Sequence, residues 1–214
     1  MLKMKTINVP ALEFYEFASP VELADDSRAF IKNANIKFNR DNVGYQFGKI
    51  FYYQPLFDWF EQCIQSVETK FKLTKDEPWG FSISDAWVNK QNLGDSVRQH
   101  LHCLSVLSGI YYLDNSKTTT KFRIPNYSFH NDNYLLNILE RSSRTQEILP
   151  EKGKLIIFPS HLLHQVDIHR ERSIRYTISF NLFLNGKFDY VTGALHLKVN
   201  DVKSQYYEWI SNQS

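Results

Sequence analysis

The feature that most constrains the fold is an alternating run in the last third of the chain, "SIRYTISFNLFL", at positions 173–184. Apolar residues occupy every second position from Ile174 to Leu182. Successive side chains on a strand point to opposite faces of its sheet, so one face of this strand belongs in a core. The opposite, polar face carries Arg175, Thr177, Ser179 and Asn181. An average strand turns such a face to solvent, but a cluster of histidines directly precedes this one, which favours a site.

Four earlier runs have the same strand character: "FSISDAWVN", "SVLSGIYYL", "TTKFRI" and "GKLIIF". Polar turns, or turns that contain Gly or Pro, separate them. Aromatic residues, most of which favour strands, make up 15% of the chain. We therefore expect a mainly β fold, a sandwich or jelly roll that is braced by helices.

The segment before Pro78 has a helical period instead. In "PLFDWFEQCIQSVETKFKL" the apolar residues recur three and four positions apart, and Pro55 stands at the start. This pattern predicts an amphipathic helix that packs against a flat surface. Pro10 and Pro20 predict an extended front end, which a short helix at about 21–34 follows.

The length of 214 residues predicts one domain with a sizeable core. No repeat, low-complexity tract or obvious linker divides the chain. We expect helical support over about 1–77, a jelly-roll core over about 78–190, and a tail or helix over 191–214.

The charge balance excludes some classes of partner. The net charge is +2 and the basic residues are scattered, which argues against nucleic acid or a membrane surface and leaves a small-molecule or peptide substrate. Two cysteines, Cys63 and Cys103, are too few for a disulfide framework and suit a reducing compartment. The front of the chain lacks the apolar segment of a signal peptide, so we expect a soluble, cytoplasmic protein.

The histidines form a pattern along the sequence. His100 and His102 stand one residue apart beside an apolar run, and strand geometry would point both to one face. A third histidine, His164, follows the buried run "GKLIIF" and precedes Arg175. Three other histidines stand alone, and we assign them to the surface or to packing: His161, His169 and His196.

This pattern suits non-haem iron chemistry. Two histidines and a third ligand on one face of an octahedron leave three adjacent positions open on Fe(II). A 2-oxoacid can take two of those positions and O₂ the third. An arginine can bind the far carboxylate of the oxoacid through a bidentate, charge-assisted pair, and Arg175 is suitably spaced, with the Thr177 hydroxyl as a further donor.

From about Trp87 to Asn181 the chain resembles the 2-oxoglutarate/Fe(II) dioxygenases. It is most similar to a group found in phages and marine bacteria, and more distantly similar to the prolyl hydroxylases. The pieces that carry the resemblance are, in order, "WVN", "HLH", "LSGIYYL", "GKLIIFPSHLLH" and "RYTISFN". The resemblance implies a double-stranded β-helix, a jelly roll of the cupin-like type.

By this resemblance His100, His102 and His164 hold the iron, and no catalytic residue is expected beyond the metal centre. Most of the superfamily has His-x-Asp where this chain has His-x-His. A carboxylate neutralises part of the charge on Fe(II), whereas an imidazole does not. Three roles therefore stay open for His102: it binds iron, it leaves a position for water or halide, or it supports the ligands without binding iron.

The resemblance also implies a co-substrate site. Arg175 and Thr177 would bind the carboxylate of 2-oxoglutarate, and Tyr112 matches the position where prolyl hydroxylases place a tyrosine hydroxyl on that carboxylate. Asn89 is a candidate for contact with co-substrate or substrate. Trp87 is either a wall of the pocket or a core residue.

Two competing motifs are weaker. His130-Asn-Asp132 has the usual ligand types, but it lies in a polar, Asn-rich stretch with no strand after it. Cys103 follows His102 directly and could form a nucleophile and base pair with it. Adjacent residues on a strand point to opposite faces, however, which places them poorly for sharing a proton.

We therefore expect an oxidoreductase that uses Fe(II), 2-oxoglutarate and O₂ to hydroxylate an unidentified substrate. One alternative is a three-histidine, cupin-type dioxygenase whose substrate binds iron directly without 2-oxoglutarate. The other is a jelly-roll binding protein that catalyses nothing.

Overall fold

A computed structural model of the chain describes residues 4–9, 12–34, 36–40, 46–71, 79–124, 144–190 and 193–212. In these residues three helices are present: α1 (Val21–Asn33), α2 (Gln54–Glu68) and α3 (Val202–Ser211). A 3₁₀ turn, Thr69–Phe71, follows α2.

The strands form two antiparallel sheets. In chain order they are β1 (Met4–Val9), β2 (Leu12–Ala18), β3 (Asn39–Arg40), β4 (Gln46–Lys49), β5 (Trp79–Gln91), β6 (Val97–His100), β7 (Leu107–Tyr112), β8 (Thr120–Ile124), β9 (Arg144–Ile148), β10 (Lys154–Pro159), β11 (His164–Val166), β12 (Arg175–Tyr190) and β13 (Gly193–Leu197). The large sheet has the order β1-β2-β10-β7-β12-β5-β4-β3, and β13 pairs with the end of β12. The small sheet has the order β6-β11-β8-β9.

The large sheet buries apolar residues on both faces, and the two faces meet different partners. Its outer face packs on the helices, where α2 buries one side through residues such as Phe57, Phe60 and Ile64. Its inner face packs on the small sheet through a second cluster that joins Phe14 and Phe158 to Phe122. The predicted mainly β jelly roll and the predicted amphipathic helix are therefore confirmed.

The alternation in β12 is realised as the sequence predicts. Ile178, Phe180 and Leu182 are buried in the cluster beneath the helices. The intervening polar residues face the small sheet rather than solvent, and Arg175 and Thr177 are each only 3% exposed. A buried polar face in the middle of a sheet requires partners, and it is this face that forms the site.

The front of the chain contributes more strand than the sequence analysis predicts for a helical support. β1 and β2 form a hairpin whose second strand pairs with β10, and β3 and β4 extend the opposite edge through β5. The local sequence cannot reveal these pairings because their partners lie far along the chain. Among the described residues, no helix is long and apolar enough to cross a membrane.

Candidate functional site

Three histidines converge between the two sheets. His100 ends β6 and His164 begins β11, and the two residues pair directly across the antiparallel ladder. Their ring centroids are 4.2 Å apart, and the ring of His102 lies 5.0 Å from that of His164. One nitrogen from each ring lies within 4.8 Å of the other two, which is close enough for all three to reach one metal ion.

The geometry of His102 differs from the expectation that it shares a strand with His100. β6 ends at His100, and the chain then leaves the small sheet to reach β7 in the large sheet. The N–H of His102 donates to the carbonyl of Ser160 at 3.0 Å, and the turn passes through Leu104 with φ of 69°. His102 therefore approaches the centre from this crossing and not by strand alternation.

Hydrogen bonds at Nδ1 fix the orientation of two rings. Nδ1 of His100 lies 2.8 Å from the carbonyl oxygen of Arg98, and Nδ1 of His164 lies 2.8 Å from that of Leu162. A carbonyl oxygen only accepts, so the hydrogen resides on Nδ1 and the lone pair resides on Nε2. Nε2 is then available to a metal, as in sites where the outer nitrogen of each histidine donates to a carbonyl.

Burial keeps the imidazoles in their ligand form. It is the main cause that lowers the pKa of His164 from 6.5 to about 3, and the neighbouring His100 lowers it further. Burial also lowers the pKa of His102, against the opposing effect of its hydrogen bond to Asn181. Both rings are therefore neutral at pH 7, which is the state that binds a metal.

This burial predicts a pH dependence for the metal-free protein. The folded-state pKa of His164, about 3, lies below its ordinary value of 6.5, so between these values the unfolded chain takes up a proton that the folded chain does not. Stability must fall as pH falls below 6.5, by about 2 kcal/mol at pH 5 from this residue. Urea unfolding of the metal-free wild type and of His164→Gln, each at pH 7.5 and pH 5, gives the loss of unfolding free energy between the two pH values. If the wild type loses no more stability than His164→Gln between pH 7.5 and pH 5, the assignment of His164 as a buried, neutral ring is contradicted.

A buried arginine faces the same pocket as the histidines. Arg175 and Gln91 pair across β12 and β5, and Arg175 Nη1 donates to Gln91 Oε1. Arg175 Nε and Nη2 and Gln91 Nε2 are buried without a hydrogen-bond partner. Burial lowers the pKa of Arg175, but a guanidinium keeps its charge in proteins. No carboxylate in the described part of the chain forms an ion pair with it.

The tyrosine beside this arginine has a different contact from the one expected. Tyr112 lies opposite Thr177 on β7, and its hydroxyl donates to Thr120 Oγ1 at 2.9 Å. The guanidinium of Arg175 lies over its ring, 5.6 Å from the centroid. The expected contact of this hydroxyl with 2-oxoglutarate stays a prediction, while Thr120 lines the pocket and offers its own hydroxyl.

The remaining polar residues connect into one network. Asn89 pairs with Thr177 in the sheet, and its Nδ2 donates to Thr177 Oγ1 at 3.1 Å and to Ser179 Oγ at 2.8 Å. Trp87 lies next to these residues, with its ring centroid 5.6 Å from that of His102. Trp87 and the three polar residues all line the pocket, so Trp87 is a pocket wall and not a core side chain.

Sequence reasoning missed Gln91 and Thr120. The signal for Gln91 was present, because it follows Trp87 and Asn89 at the same two-residue spacing on β5. Thr120 carried no such signal, since it lies on the small sheet and reaches the pocket only when the two sheets pack together.

The other candidates either lie outside the described residues or have contacts of their own away from the three histidines. His130 and Asp132 lie outside the described residues, as does the side chain of His196. His161 is exposed, whereas His169 is buried and its Nδ1 lies 2.8 Å from Thr118 Oγ1, which agrees with surface and packing roles. Cys103 is exposed in the crossing after His102.

The comparisons with known proteins agree with this geometry. Residues 85–181, a little under half of the chain, match the family model described as "Putative 2OG-Fe(II) oxygenase". The match begins on β5 and ends on β12, and so includes all three histidines, Gln91 and Arg175. No curated protein matches the chain.

Solved structures share the fold. A prolyl-4-hydroxylase from Pseudomonas putida has a TM-score of 0.56 at 14% identity, over 79% of this chain and 91% of its own. A prolyl hydroxylase from Trichoplax adhaerens, in complex with a hypoxia inducible factor peptide fragment, has a TM-score of 0.53 at 12% identity, over 79% and 83%. HygX from Streptomyces hygroscopicus, with nickel, 2-oxoglutarate and hygromycin B bound, has a TM-score of 0.53 at 9% identity, over 89% and 94%.

Proposed function

We propose that this chain, whose residues 85–181 match the 2OG-Fe(II) oxygenases, binds Fe(II) through His100, His102 and His164 and hydroxylates a peptide or small molecule. The cofactors of the family are Fe(II), 2-oxoglutarate and O₂. Which residues of this chain hold each of them is part of the proposal, and contacts within the site support each assignment.

The observation that carries the proposal is the set of unsatisfied buried donors at Arg175 and Gln91. Three nitrogen donors of these two side chains have no partner, although leaving a buried polar group unpaired costs about 1–3 kcal/mol. A carboxylate at this point would accept from the guanidinium and the amide together. The same pocket holds the three imidazoles, so one molecule could reach both ends, as a dicarboxylic oxoacid must.

The three histidines fit a divalent metal by their chemistry. All three are imidazoles, a ligand type that Fe(II) accepts, and three protein ligands leave the other octahedral positions open. Fe(II) held by these three residues would supply the activation of O₂ that couples the conversion of 2-oxoglutarate to succinate and CO₂ with hydroxylation of a C–H bond of the substrate.

The protein contributes position and charge to this reaction. Arg175 would neutralise one carboxylate of the oxoacid, and its own burial, at 3% exposed, would strengthen the pair. Thr177 and Thr120 offer hydroxyl donors beside it. Trp87, half-buried against His102, limits access to the metal from the side of β5.

The substrate class is proposed from the relatives. The Trichoplax prolyl hydroxylase is described in complex with a peptide, and HygX with 2-oxoglutarate and hygromycin B, so proteins of this fold bind both classes of molecule. We place the protein in the cytoplasm, where a reducing environment keeps iron as Fe(II) and leaves Cys63 and Cys103 as the free thiols that the structure contains.

A spectroscopic titration tests the proposal. Anaerobic addition of 2-oxoglutarate to the Fe(II)-loaded protein should produce the weak visible charge-transfer band of the chelate. Admission of O₂ should then release succinate, with O₂ uptake as a parallel measurement. Pyruvate is the control compound for this titration. It lacks the second carboxylate that the unsatisfied donors at Arg175 require, so it should bind far more weakly than 2-oxoglutarate.

Two outcomes would contradict the proposal. Absence of the band at saturating 2-oxoglutarate, from a protein that holds one Fe(II), would favour a three-histidine dioxygenase that does not use the oxoacid. Reproducible failure to bind Fe(II) after anaerobic purification would favour a binding protein without catalysis.

A further inference from the structure

The three histidines differ in the group that contacts Nδ1, the ring nitrogen that does not face the proposed metal position. His100 and His164 place Nδ1 against backbone carbonyls, which no substitution removes. His102 places Nδ1 against side chains, above all Asn181, whose Oδ1 lies 2.5 Å away. Of the three rings, only that of His102 therefore owes its tautomer to a residue that another side chain could replace.

The orientation of the Asn181 amide is itself determined by a neighbour. Asn181 Nδ2 donates to Asp85 Oδ2 at 3.1 Å, and a carboxylate can only accept. The NH₂ group of Asn181 must therefore face Asp85, and its Oδ1 must face His102. Because Oδ1 has no hydrogen, the hydrogen in the short contact belongs to His102 Nδ1, and His102 Nε2 keeps its lone pair.

Two serines hold this arrangement from the other side. Ser108 lies opposite Asn181 on β7, and its hydroxyl donates to Asn181 Oδ1 at 2.9 Å. Ser108 Oγ also lies 3.0 Å from His102 Nδ1, but its one hydrogen is used by Asn181, so toward the ring it can only accept. Ser160 Oγ lies 2.8 Å from Ser108 Oγ, next to the carbonyl that receives the N–H of His102. The backbone and the ring of His102 are thus tied to neighbouring strands of the large sheet.

We propose that Asn181 is the positioning residue that makes His102 a metal ligand, because it selects the tautomer that keeps a lone pair on Nε2, the nitrogen that lies 3.3 Å from Nε2 of His100. The inference rests on the proposed metal site. An imidazole has two tautomers and needs a partner to select one, whereas the carboxylate of a His-x-Asp motif would present a lone pair from either oxygen.

The geometry of the pair His100 and His102 agrees with this role. Their Nε2 atoms lie 3.3 Å apart, which is close enough for both to reach an ion at one point between them. In the opposite tautomer, His102 would direct an N–H at that point and could not bind an ion there. Without the Asn181 acceptor, the Ser108 hydroxyl would be free to donate to Nδ1 and so favour that opposite tautomer. Loss of Asn181 should therefore weaken metal binding without moving either of the other two ligands.

The experiment compares Asn181→Leu with a double variant that exchanges two residues, Asn181→Asp together with Asp85→Asn. Leucine removes the acceptor at similar volume. The exchange restores it, because the new carboxylate at position 181 accepts from His102 while the new amide at position 85 donates back. Asn185→Leu, on the same strand, is the matched control, since the Asn185 side chain donates to Ser82 on the neighbouring strand.

Two measurements report the outcome. Two-bond ¹H–¹⁵N spectra of metal-free, ¹⁵N-histidine-labelled protein report the tautomer of His102 without any activity. Calorimetric titration with Co(II) reports the affinity of the site. We expect one Nδ1–H tautomer in wild type, in Asn185→Leu and in the exchanged pair, and Nε2–H signal in Asn181→Leu with affinity about 10–100-fold lower, as for other loss of an outer hydrogen-bond partner.

Three results would overturn the inference. They are an Asn181→Leu variant that keeps the Nδ1–H tautomer, an Asn181→Leu variant that keeps wild-type Co(II) affinity, and an exchanged pair that behaves like Asn181→Leu. A wild type that shows the Nδ1–H tautomer at His102 yet binds no metal would overturn the proposed function instead, so the two failures are distinguishable.

Discussion

Arg175→Ala should nearly abolish succinate production at 2-oxoglutarate concentrations near the wild-type KM and leave the iron content near that of wild type. Arg175 is 3% exposed and its two unpartnered nitrogens face the pocket, so its removal takes away a charged, bidentate partner of the oxoacid. Charge-assisted hydrogen bonds contribute about 1.5–3 kcal/mol each, so the loss of two should raise the KM for 2-oxoglutarate about 100-fold or more. The three histidines keep their own hydrogen bonds and should still bind Fe(II).

The measurement is succinate release against 2-oxoglutarate concentration, with iron determined on the same samples. Arg172→Ala is the matched control, because Arg172 is exposed three positions earlier and should change neither quantity. Gln91→Leu should give an intermediate KM, since it removes one amide donor but no charge. Unchanged succinate production in Arg175→Ala at normal iron content would contradict the assignment.

His164→Ala should lose iron and activity together. The ring of His164 lies within 5.0 Å of both other rings and supplies one of the three converging nitrogens. Removal of an outer hydrogen-bond partner alone costs about 10–100-fold in metal affinity, so removal of a direct ligand should cost more than about 100-fold. Inductively coupled plasma analysis after anaerobic loading gives the Fe(II) content per chain.

His161→Ala is the control for this prediction, because His161 is an exposed histidine on the same turn before β11. His100→Ala should behave like His164→Ala. His102→Ala separates the roles left open by the sequence: low iron content indicates a ligand, whereas full iron content with altered activity indicates a supporting residue. Retention of stoichiometric, tightly bound Fe(II) by His164→Ala would rule out the proposed metal centre.

Local pattern was sufficient for much of this site. The alternation from Ile174 to Leu182 predicted which face of β12 would be polar, and burial of Ile178 and Phe180 confirmed the other face. The grouping of His164 with His100 came from the order of the motifs and from the resemblance, and the two residues do pair across β6 and β11. The prediction for β12 succeeded because it depended only on a period of two and on residue type.

Other features depended on contacts that no local pattern encodes. His102 was expected on the strand of His100, but the strand ends there because the chain must cross to the large sheet. The link from Asp85 through Asn181 to His102 joins three separate segments, and its amide orientation follows only from which atoms meet. The pairing of β2 with β10 was likewise not predictable from local sequence, because the two strands are distant along the chain.

The sequence by itself determined the chemistry available to this protein: three histidines, an arginine and a polar strand face in an order that resembles the 2-oxoglutarate/Fe(II) oxygenases. Only the tertiary structure decided how those groups are used. It buried Arg175 without a carboxylate partner among the described residues and set the tautomer of His102 through Asn181. The physical reason is that residue type fixes which atoms can donate or accept, whereas burial and strand register fix which of them meet.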